Sequence, residues 1–266
     1  MEFRTIVDVE DPGFRIEPCE EMLFVGSCFA DNIGTRFKEE KFRATVNPFG
    51  VMYNPASILH TIQRLSHSVQ SNLQSVFLTL GTNHVYRLKE TGEIVDNCQK
   101  RPQLLFTEEE LTVDECADYL QRAIDILRQH NPDIHVVLTV SPIRYRKYGY
   151  HGSQLSKSTL LLATRKVKRA SYFPAYEIIN DELRDYRFYA EDMLHPSSQA
   201  VDYIWERLSE VYFSAETKAF LKEWQPLKAA LNHKPFDPDS EEYRIFIDKT
   251  MLKIAELQKK YPNFAL

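Results

Sequence analysis

The sequence predicts an α/β protein with three layers (α/β/α), in which helices cover both faces of a mostly parallel central sheet. Short apolar runs alternate along the chain with segments whose apolar residues recur at helical spacing, a pattern typical of parallel strands joined by helical crossovers. The last segment is charged and helical in pattern, and it contains no predicted strand. We therefore expect an α/β domain over residues 1–213 and a helical C-terminal extension over residues 214–266 that packs on the core.

Four apolar runs are the predicted strands of this sheet, and the first two of them end at a glycine. In chain order they are residues 22–26, 76–80, 134–140 and 176–179. Residues 44–54 are nearly uncharged and contain proline and glycine, so they are predicted to form an ordered loop. Thr91 and Gly92 are predicted to form the turn of a hairpin.

Five segments before the extension are predicted as helices. Pro55 suits the first turn of one, and Thr107 followed by Glu110 resembles the capping box that begins another. In chain order the helices span residues 28–40, 55 to about 67, 107 to about 129, 156–167 and 196–212. In the extension, Ile247, Met251 and Ile254 are predicted to form one apolar face.

Composition narrows the class of protein. The hydrophobic content of 43% and the charged content of 27% are ordinary for a globular protein. The net charge of −5 gives no basic surface for nucleic acid and no polybasic membrane anchor. The four cysteines form no disulfide framework, and no signal or membrane-spanning segment is apparent, so we expect a cytoplasmic protein with neither a nucleic-acid nor a membrane partner.

A serine and an Asp/His pair carry the chemistry. Ser27 follows Gly26 on a predicted strand-to-helix turn, and Asp192 precedes His195 by three positions. A nucleophilic serine needs a base to accept its proton, and the base needs a carboxylate to orient it and stabilise its charged form. Because sites in parallel sheets form at the carboxyl ends of strands, Ser27 and the loop before Asp192 are expected at one edge of the sheet.

Ser27 and His195 each have an alternative, purely structural interpretation. Ser27 is also a suitable N-cap for the helix that follows it, and His195 alone would suit a satisfied, partly buried histidine. Cys28 is a second candidate nucleophile, because the N-terminus of a helix lowers the pKa of a thiol. We expect instead that Cys28 packs inward on its helix.

The residues around Ser27 resemble a known family. Gly26-Ser27-Cys28-Phe29-Ala30 spells the motif of the GSCFA family in the SGNH/GDSL hydrolase superfamily. Over residues 20–200 the resemblance extends to further blocks in the same order. These are Asn47-Pro48-Phe49-Gly50, Gly81-Thr82-Asn83, Thr139-Val140-Ser141-Pro142 and Asp192 to Pro196. The fold implied is the SGNH/flavodoxin-like arrangement, here with the C-terminal helices added.

The resemblance also implies roles for individual residues. Ser27 resembles the nucleophile, His195 the base and Asp192 the carboxylate that orients it. The oxyanion hole would be formed by the backbone N–H groups of Ser27 and Gly50 and by the side-chain amide of Asn83. The chain departs from the superfamily pattern in two places, because Gly-Ser-Cys replaces Gly-Asp-Ser and His84 stands where many relatives have aspartate.

Two aromatic and basic clusters are candidates for contact with substrate. Arg144 and Tyr145 follow the third predicted strand, and Arg187 lies in a similar cluster before Asp192. Such side chains can stack on a sugar ring or neutralise an anion, although a solvated loop or an ion-pair scaffold explains them equally well. The histidines show no metal-binding spacing and no nucleotide-binding motif is present, so no metal and no cofactor are expected.

The sequence therefore predicts a serine esterase that hydrolyses a short acyl ester carried by a small molecule or a carbohydrate, with O-acetyl groups on carbohydrate as one candidate. An O-acyltransferase to a glycan or another hydroxyl acceptor would use the same residues. A non-catalytic binding protein on the same fold is the third candidate, and the C-terminal helices suit a homo-oligomer.

Overall fold

The structure, a computed structural model, describes residues 3–65, 72–96, 98 and 101–264. The strands follow in chain order. They are β1 Glu21–Gly26, β2 Arg43–Val46, β3 Ser75–Leu80, β4 His84–Leu88, β5 Ile94–Val95, β6 Phe106–Glu110, β7 His135–Val140 and β8 Ser171–Tyr172. The α-helices are also given in chain order. They are α1 Cys28–Glu39, α2 Pro55–Leu65, α3 Val113–His130, α4 Gly149–Thr164, α5 Ala175–Glu177, α6 Ser198–Tyr212, α7 Ala215–Leu231 and α8 Glu241–Lys260.

The main sheet is parallel throughout its five strands, in the order β2-β1-β3-β7-β8. Its register sets Gly26 of β1 beside Thr79 of β3, and Thr79 beside Thr139 of β7. The three strands therefore end level with one another. As a result, Ser27, Gly81 and Ser141, which follow these strands, lie at a single edge of the sheet.

Two apolar clusters cover the two faces of this sheet. Because side chains alternate along a strand, Leu23 and Val25 enter one cluster while Met22 and Phe24 enter the other. The first cluster packs against α2, α3 and α4, and the second, which is rich in aromatic rings, packs against α1 and α6. The three-layer α/β/α class predicted from the sequence is confirmed.

A smaller antiparallel sheet, in the order β5-β4-β6, extends from the end of β3. It contains the predicted hairpin, whose turn includes Gly92. The predicted capping box at residues 107–110 is wrong, since these residues lie in β6 and pair with β4. The capping box is formed one element later, where Thr112 and Glu115 bond each other's backbone N–H groups. Pairing with β4 decides between two segments that carry the same Thr-x-x-Glu signal.

The predicted fourth strand at residues 176–179 is also wrong. These residues belong to α5 and to the π-helix Ile178–Leu183 that follows it, and the edge strand is β8. Ile178 and Ile179 are buried in either conformation, and a short apolar run does not distinguish a strand from a buried helix. Residues 44–54 also contain more structure than the predicted loop, because β2 includes their first three positions.

The predicted helices before the extension are otherwise present, with shifted ends. Helix α4 begins at Gly149 rather than at 156, and α6 begins at Ser198 with Ser197 as its N-cap. Helix α2 is described as far as Leu65, and positions 66 and 67 of the prediction lie outside the described residues.

The C-terminal extension consists of α7 and α8, which pack on each other and on the end of α1. Trp224 donates from its indole N–H to the carbonyl oxygen of Glu39 at 3.2 Å. On α8 the buried face contains Thr250, Ile254 and Leu257. The predicted face is therefore rotated, since Met251 is 48% exposed. Within the part of the chain that the structure describes, no helix is both long and apolar enough to cross a membrane.

Candidate active site

Ser27 lies in a tight turn between β1 and α1 that only glycine permits at the preceding position. Gly26 has φ of +144°, and a Cβ on it would lie 2.1 Å from the carbonyl oxygen of Thr79. The N–H of Gly26 donates to Asn47 Oδ1 at 2.9 Å. The turn places Ser27 as the N-cap of α1, with its Oγ accepting from the N–H of Phe29 at 3.3 Å. The N-cap geometry is thus present, and it leaves the chemical role of the hydroxyl open.

Thr79 binds both the backbone N–H and the hydroxyl of Ser27. The backbone N–H of Ser27 donates to the carbonyl oxygen of Thr79 at 3.1 Å and to its Oγ1 at 3.0 Å. The two hydroxyl oxygens lie 3.1 Å apart and share a hydrogen bond. Ser27 is fully buried. Its hydroxyl is therefore held against β3 in this structure.

Asp192 and His195 form a hydrogen-bonded pair. Asp192 Oδ2 lies 2.6 Å from His195 Nδ1, while Oδ1 accepts from the backbone N–H groups of His195 at 3.0 Å and of Leu194 at 2.9 Å. These bonds, led by the two from His195, hold the pKa of Asp192 at about 2. Because a carboxylate accepts from Nδ1–H, the tautomer with a basic Nε2 is favoured.

Arg144 attaches the loop of this pair to the segment that follows β7. Its backbone N–H donates to the carbonyl oxygen of Leu194 at 3.0 Å, and its guanidinium donates to that of Met193 at 3.1 Å. The guanidinium also lies over the rings of Tyr150, at 4.3 Å, and Tyr189, at 5.3 Å. Arg144, predicted to contact substrate, therefore supports the Asp192–His195 loop at the edge where Ser27 lies.

The described residues do not include a hydrogen bond between Ser27 and His195. The hydroxyl of Ser27 bonds to Thr79 and to the N–H of Phe29. Catalytic hydrogen bonds are often long or poorly aligned without substrate, and the roles of Ser27 and His195 stay predictions.

Each of the predicted oxyanion donor groups makes at least one hydrogen bond to the protein. The N–H of Ser27 is bound by Thr79, and that of Gly50 donates to the carbonyl oxygen of Asn47 at 2.8 Å. The amide of Asn83 donates to the carbonyl oxygen of Leu111 at 2.8 Å, and its Oδ1 is buried without a partner among the described residues. The roles of Ser27, Gly50 and Asn83 in an oxyanion hole stay predictions.

The loop 47–54 crosses the ends of β1 and β3. The N–H of Met52 donates to the carbonyl oxygen of Gly26 at 2.8 Å, and the carbonyl oxygen of Tyr53 accepts from Gly81 at 2.9 Å. The hydroxyl of Tyr53 lies 3.8 Å from the Sγ of Cys28. Cys28 is half-buried and packs in part against the aromatic-rich cluster, so it is only partly in the inward position that was predicted.

Lys157 is a polar residue of this edge that the sequence analysis missed. It lies on α4, is fully buried, and donates from Nζ to the carbonyl oxygens of Gly81 at 2.6 Å and Ser141 at 2.7 Å. Burial lowers its pKa to about 7. The available signals were weak: Lys157 shares its helix face with Ser153 and Ser156 as well as Leu160, and Thr79 lies in a buried strand. Only the folded sheet shows what each contacts.

Arg187 forms an ion pair within its own segment of the chain. Its guanidinium bonds to Asp185 at 2.9 Å, and its side chain is 70% exposed. This matches the ion-pair interpretation of its cluster, and a role in binding substrate stays a prediction.

A cavity of about 960 Å³ lies at the opposite edge of the sheet. Its lining includes His135 and Ser171, the first residues of β7 and β8. Ser27 and the Asp192–His195 pair are not part of it. The candidate active site is therefore a set of loops at the carboxyl edge rather than this cavity.

The structure thus combines a parallel α/β sheet with a buried serine and an Asp/His pair at its carboxyl edge. The chain belongs to the GSCFA family, as the sequence motif indicated: the model of the GSCFA family matches residues 21–73 and 64–208. The model named "GSCFA domain protein, C-terminal domain" matches residues 224–266. Comparison with curated proteins gives no match.

Three solved structures to which this chain is similar are remote from it in sequence. A member of the lipolytic protein G-D-S-L family from Veillonella parvula is 14% identical, with 73% of this chain and 98% of that one covered and a TM-score of 0.47. A catalytic mutant of an acetylxylan esterase from Geobacillus stearothermophilus is 12% identical, with 76% and 98% covered and a TM-score of 0.47. A family 3 carbohydrate esterase from Talaromyces cellulolyticus is 10% identical, with 77% and 99% covered and a TM-score of 0.42.

Proposed function

We propose that this protein is a serine hydrolase that cleaves a short acyl ester. Ser27 is the nucleophile, His195 the general base and Asp192 the residue that orients it. The observation that carries the proposal is the Asp192–His195 pair at 2.6 Å, held by Arg144 at the edge where the turn after β1 presents Ser27.

The reaction proceeds in two halves. Ser27 Oγ rotates away from Thr79, gives its proton to Nε2 of His195 and attacks the ester carbonyl carbon. The C–O bond to the leaving alcohol then breaks, and His195 returns the proton to that oxygen. Water attacks the acyl-serine with His195 again as base, which releases the acid and restores Ser27.

A carbohydrate ester is the substrate that the surrounding side chains suit best. Tyr150, 50% exposed in the first turn of α4, lies beside the guanidinium of Arg144, and the ring of Tyr189 lies near the same guanidinium. Aromatic rings beside a cation are suited to stacking on a sugar ring. O-acetyl groups on carbohydrate are therefore the proposed substrates.

A reducing compartment suits the chain. Its four cysteines, Cys19, Cys28, Cys98 and Cys116, are unpaired. Free thiols are usual in the cytoplasm and uncommon in secreted proteins, which supports the proposal that the protein acts there.

Hydrolysis of p-nitrophenyl acetate by wild type, Ser27→Ala and His195→Ala tests the proposal. We expect kcat/KM to fall by about a thousandfold or more in each variant, because each loses a member of the same unit. Ser158→Ala and His130→Ala, both at exposed positions on helices, are matched controls that should retain the wild-type rate. Wild-type rates in Ser27→Ala, or no hydrolysis by wild type of acetyl esters or longer acyl esters, would overturn the proposal.

Acetylated sugars offered in the same assay test the substrate class. The better leaving group of p-nitrophenyl acetate raises its kcat/KM, so the comparison is made after this intrinsic difference in reactivity has been subtracted. On that basis, kcat/KM should be higher for the acetylated sugar. Equal turnover of simple short-chain esters, with no preference for acetylated sugars, would remove carbohydrate from the proposal and leave the hydrolase in place.

A further inference from the structure

The hydroxyl of Tyr145 is buried at the candidate active site without a hydrogen-bond partner. Among the described residues, no donor or acceptor binds its Oη. A buried hydroxyl left without a partner is unfavourable, because it loses its hydrogen bonds to water and gains none in the protein. Native structures pair nearly all such groups, so an unpaired hydroxyl beside Ser27 is free to bind a group that enters the site.

Gly81 provides the space that this hydroxyl occupies. A Cβ on Gly81 would lie 2.3 Å from Tyr145 Oη, closer than any real contact, and 3.4 Å from the Cβ of Ser27. The hydroxyl and Ser27 therefore border the same small space at the ends of β1 and β3. The glycine after β3, whose backbone Lys157 and Tyr53 hold, is what allows the tyrosine to approach.

The ring of Tyr145 is fixed from several sides. The ammonium nitrogen of Lys157 lies 5.1 Å from its centre, and the ring of Tyr53 meets it edge-on at 6.1 Å. Its backbone N–H donates to Ser153 Oγ at 3.1 Å, and the preceding residue, Arg144, holds the Asp192–His195 loop. A donor fixed in this way is available to a developing charge without reorganisation.

The hydroxyl of Tyr145 also keeps its proton. Burial raises the pKa of Tyr145 well above its usual 10, and the nearby Tyr53 and Cys28 raise it further. The group is therefore neutral and acts as a donor at neutral pH.

We infer that the Tyr145 hydroxyl donates a hydrogen bond to the carbonyl oxygen of the acyl group that Ser27 attacks, and is thus an oxyanion donor of this site. The inference rests on the proposed function. No bond to the tyrosine forms or breaks, and its proton stays on Oη while the oxyanion forms and collapses. The N–H groups of Ser27 and Gly50 already bind protein acceptors, and the amide of Asn83 spends one of its two N–H donors on Leu111. Among the described residues, the Tyr145 hydroxyl has no partner.

Tyr145→Phe tests the inference with two readouts. On p-nitrophenyl acetate we expect kcat to fall about a hundredfold with little change in KM, because the bond strengthens in the transition state. The melting temperature should stay the same or rise, since the hydroxyl has no partner to lose. Tyr212→Phe is the control: it also removes a buried hydroxyl, but its ring packs on Phe14 at the opposite edge of the sheet.

Binding of acetate ion, measured by calorimetry, needs no turnover. We expect Tyr145→Phe to weaken acetate binding at least tenfold, and Tyr212→Phe to leave it unchanged. Equal acetate affinity in Tyr145→Phe and wild type, absence of acetate binding in wild type, or unchanged kcat in Tyr145→Phe while Ser27→Ala is inactive would overturn the inference. Acetate binding that depends on Tyr145 in a wild type that hydrolyses no ester would overturn the proposed function and support the ligand contact.

Discussion

At the scale of single residues, Gly26 sets the path of the backbone into the Ser27 turn. The carbonyl oxygen of Thr79 lies 2.1 Å from where a Cβ would be, and φ of +144° is a conformation that other residues rarely adopt. Asn47 reinforces this path from the other side, since its Oδ1 accepts from Gly26 and its amide donates to Asp31 at 2.7 Å. The first residue of the family motif is thus a requirement of close packing between β1 and β3.

Gly26→Ala should therefore be costly. We expect the free energy of unfolding to fall by about 3 kcal/mol or more, because the added methyl group displaces the backbone of β3 and strains φ. Urea denaturation measures the change. Gly92→Ala is the control: Gly92 also has positive φ, at +72°, but a Cβ there meets no atom within 4 Å, so only the conformational cost of about 1 kcal/mol remains. Equal losses in the two variants would contradict the role given to Thr79.

From the sequence we could predict the candidate site residues whose contacts lie close together along the chain. Asp192 and His195 are three positions apart, and they form the contact that this spacing permits. Thr79 and Lys157 were not identified, because their contacts with Ser27 and Gly81 join segments 52 and 76 positions apart. The catalytic roles of Ser27, Asp192 and His195 stay predictions until activity is measured.

At the scale of elements, α4 is joined to the carboxyl ends of β3 and β7 by Lys157. Its Nζ donates to one carbonyl oxygen after each strand, at 2.6 Å for Gly81 and 2.7 Å for Ser141. These carbonyl groups lie where the ladder between the two strands has ended. The lysine therefore fixes the backbone after both strands, and Gly81 in this backbone lies next to Tyr145 and Ser27.

Burial of Lys157 should give stability a characteristic dependence on pH. The pKa is about 7 in the folded protein and near its usual 10.5 when unfolded, so between these values the unfolded state binds more protons. The contribution of Lys157 to stability should therefore rise with pH from about 7 to about 10 and be constant below that window. Unfolding free energies of wild type and Lys157→Met across this range give the difference. A difference that stays flat, or falls as pH rises, would contradict the lowered pKa.

Elements were predictable where one signal was strong. The strands β1, β3 and β7 and the helix α1 follow from apolar runs and helical spacing. The errors fall where two structures share one local signal: Ile178 and Ile179 are buried as a helix as readily as they would be as a strand. Whether such a segment forms a strand or a helix depends on hydrogen-bond and packing partners in distant parts of the chain.

At the scale of the whole molecule, the C-terminal helices are attached to the α/β core by a buried carboxylate. Glu40, at the end of α1, is fully buried and accepts from Lys228 and from Gln225, each at 2.9 Å. A buried charge without such partners would be strongly unfavourable, so the core and α7 depend on each other here. The sequence predicted helices in this region but not these contacts, which join residues about 185 positions apart.

The assembly of the protein is a separate question at this scale. The division at residues 213 and 214 and a homo-oligomer formed through the C-terminal helices both stay predictions. Side chains of α8 such as Phe246 and Leu252 are exposed, and light scattering of the protein in solution measures whether copies associate.

The proposed reaction requires Ser27 to be the nucleophile, and covalent trapping tests this most directly. A fluorophosphonate reacts with an activated serine by forming a P–O bond at Oγ and releasing fluoride, with the proton passing to His195. Peptide mass mapping should locate one adduct, on Ser27, absent in Ser27→Ala and formed much more slowly in His195→Ala. An adduct on Cys28 or elsewhere, or no adduct on Ser27, would contradict the account.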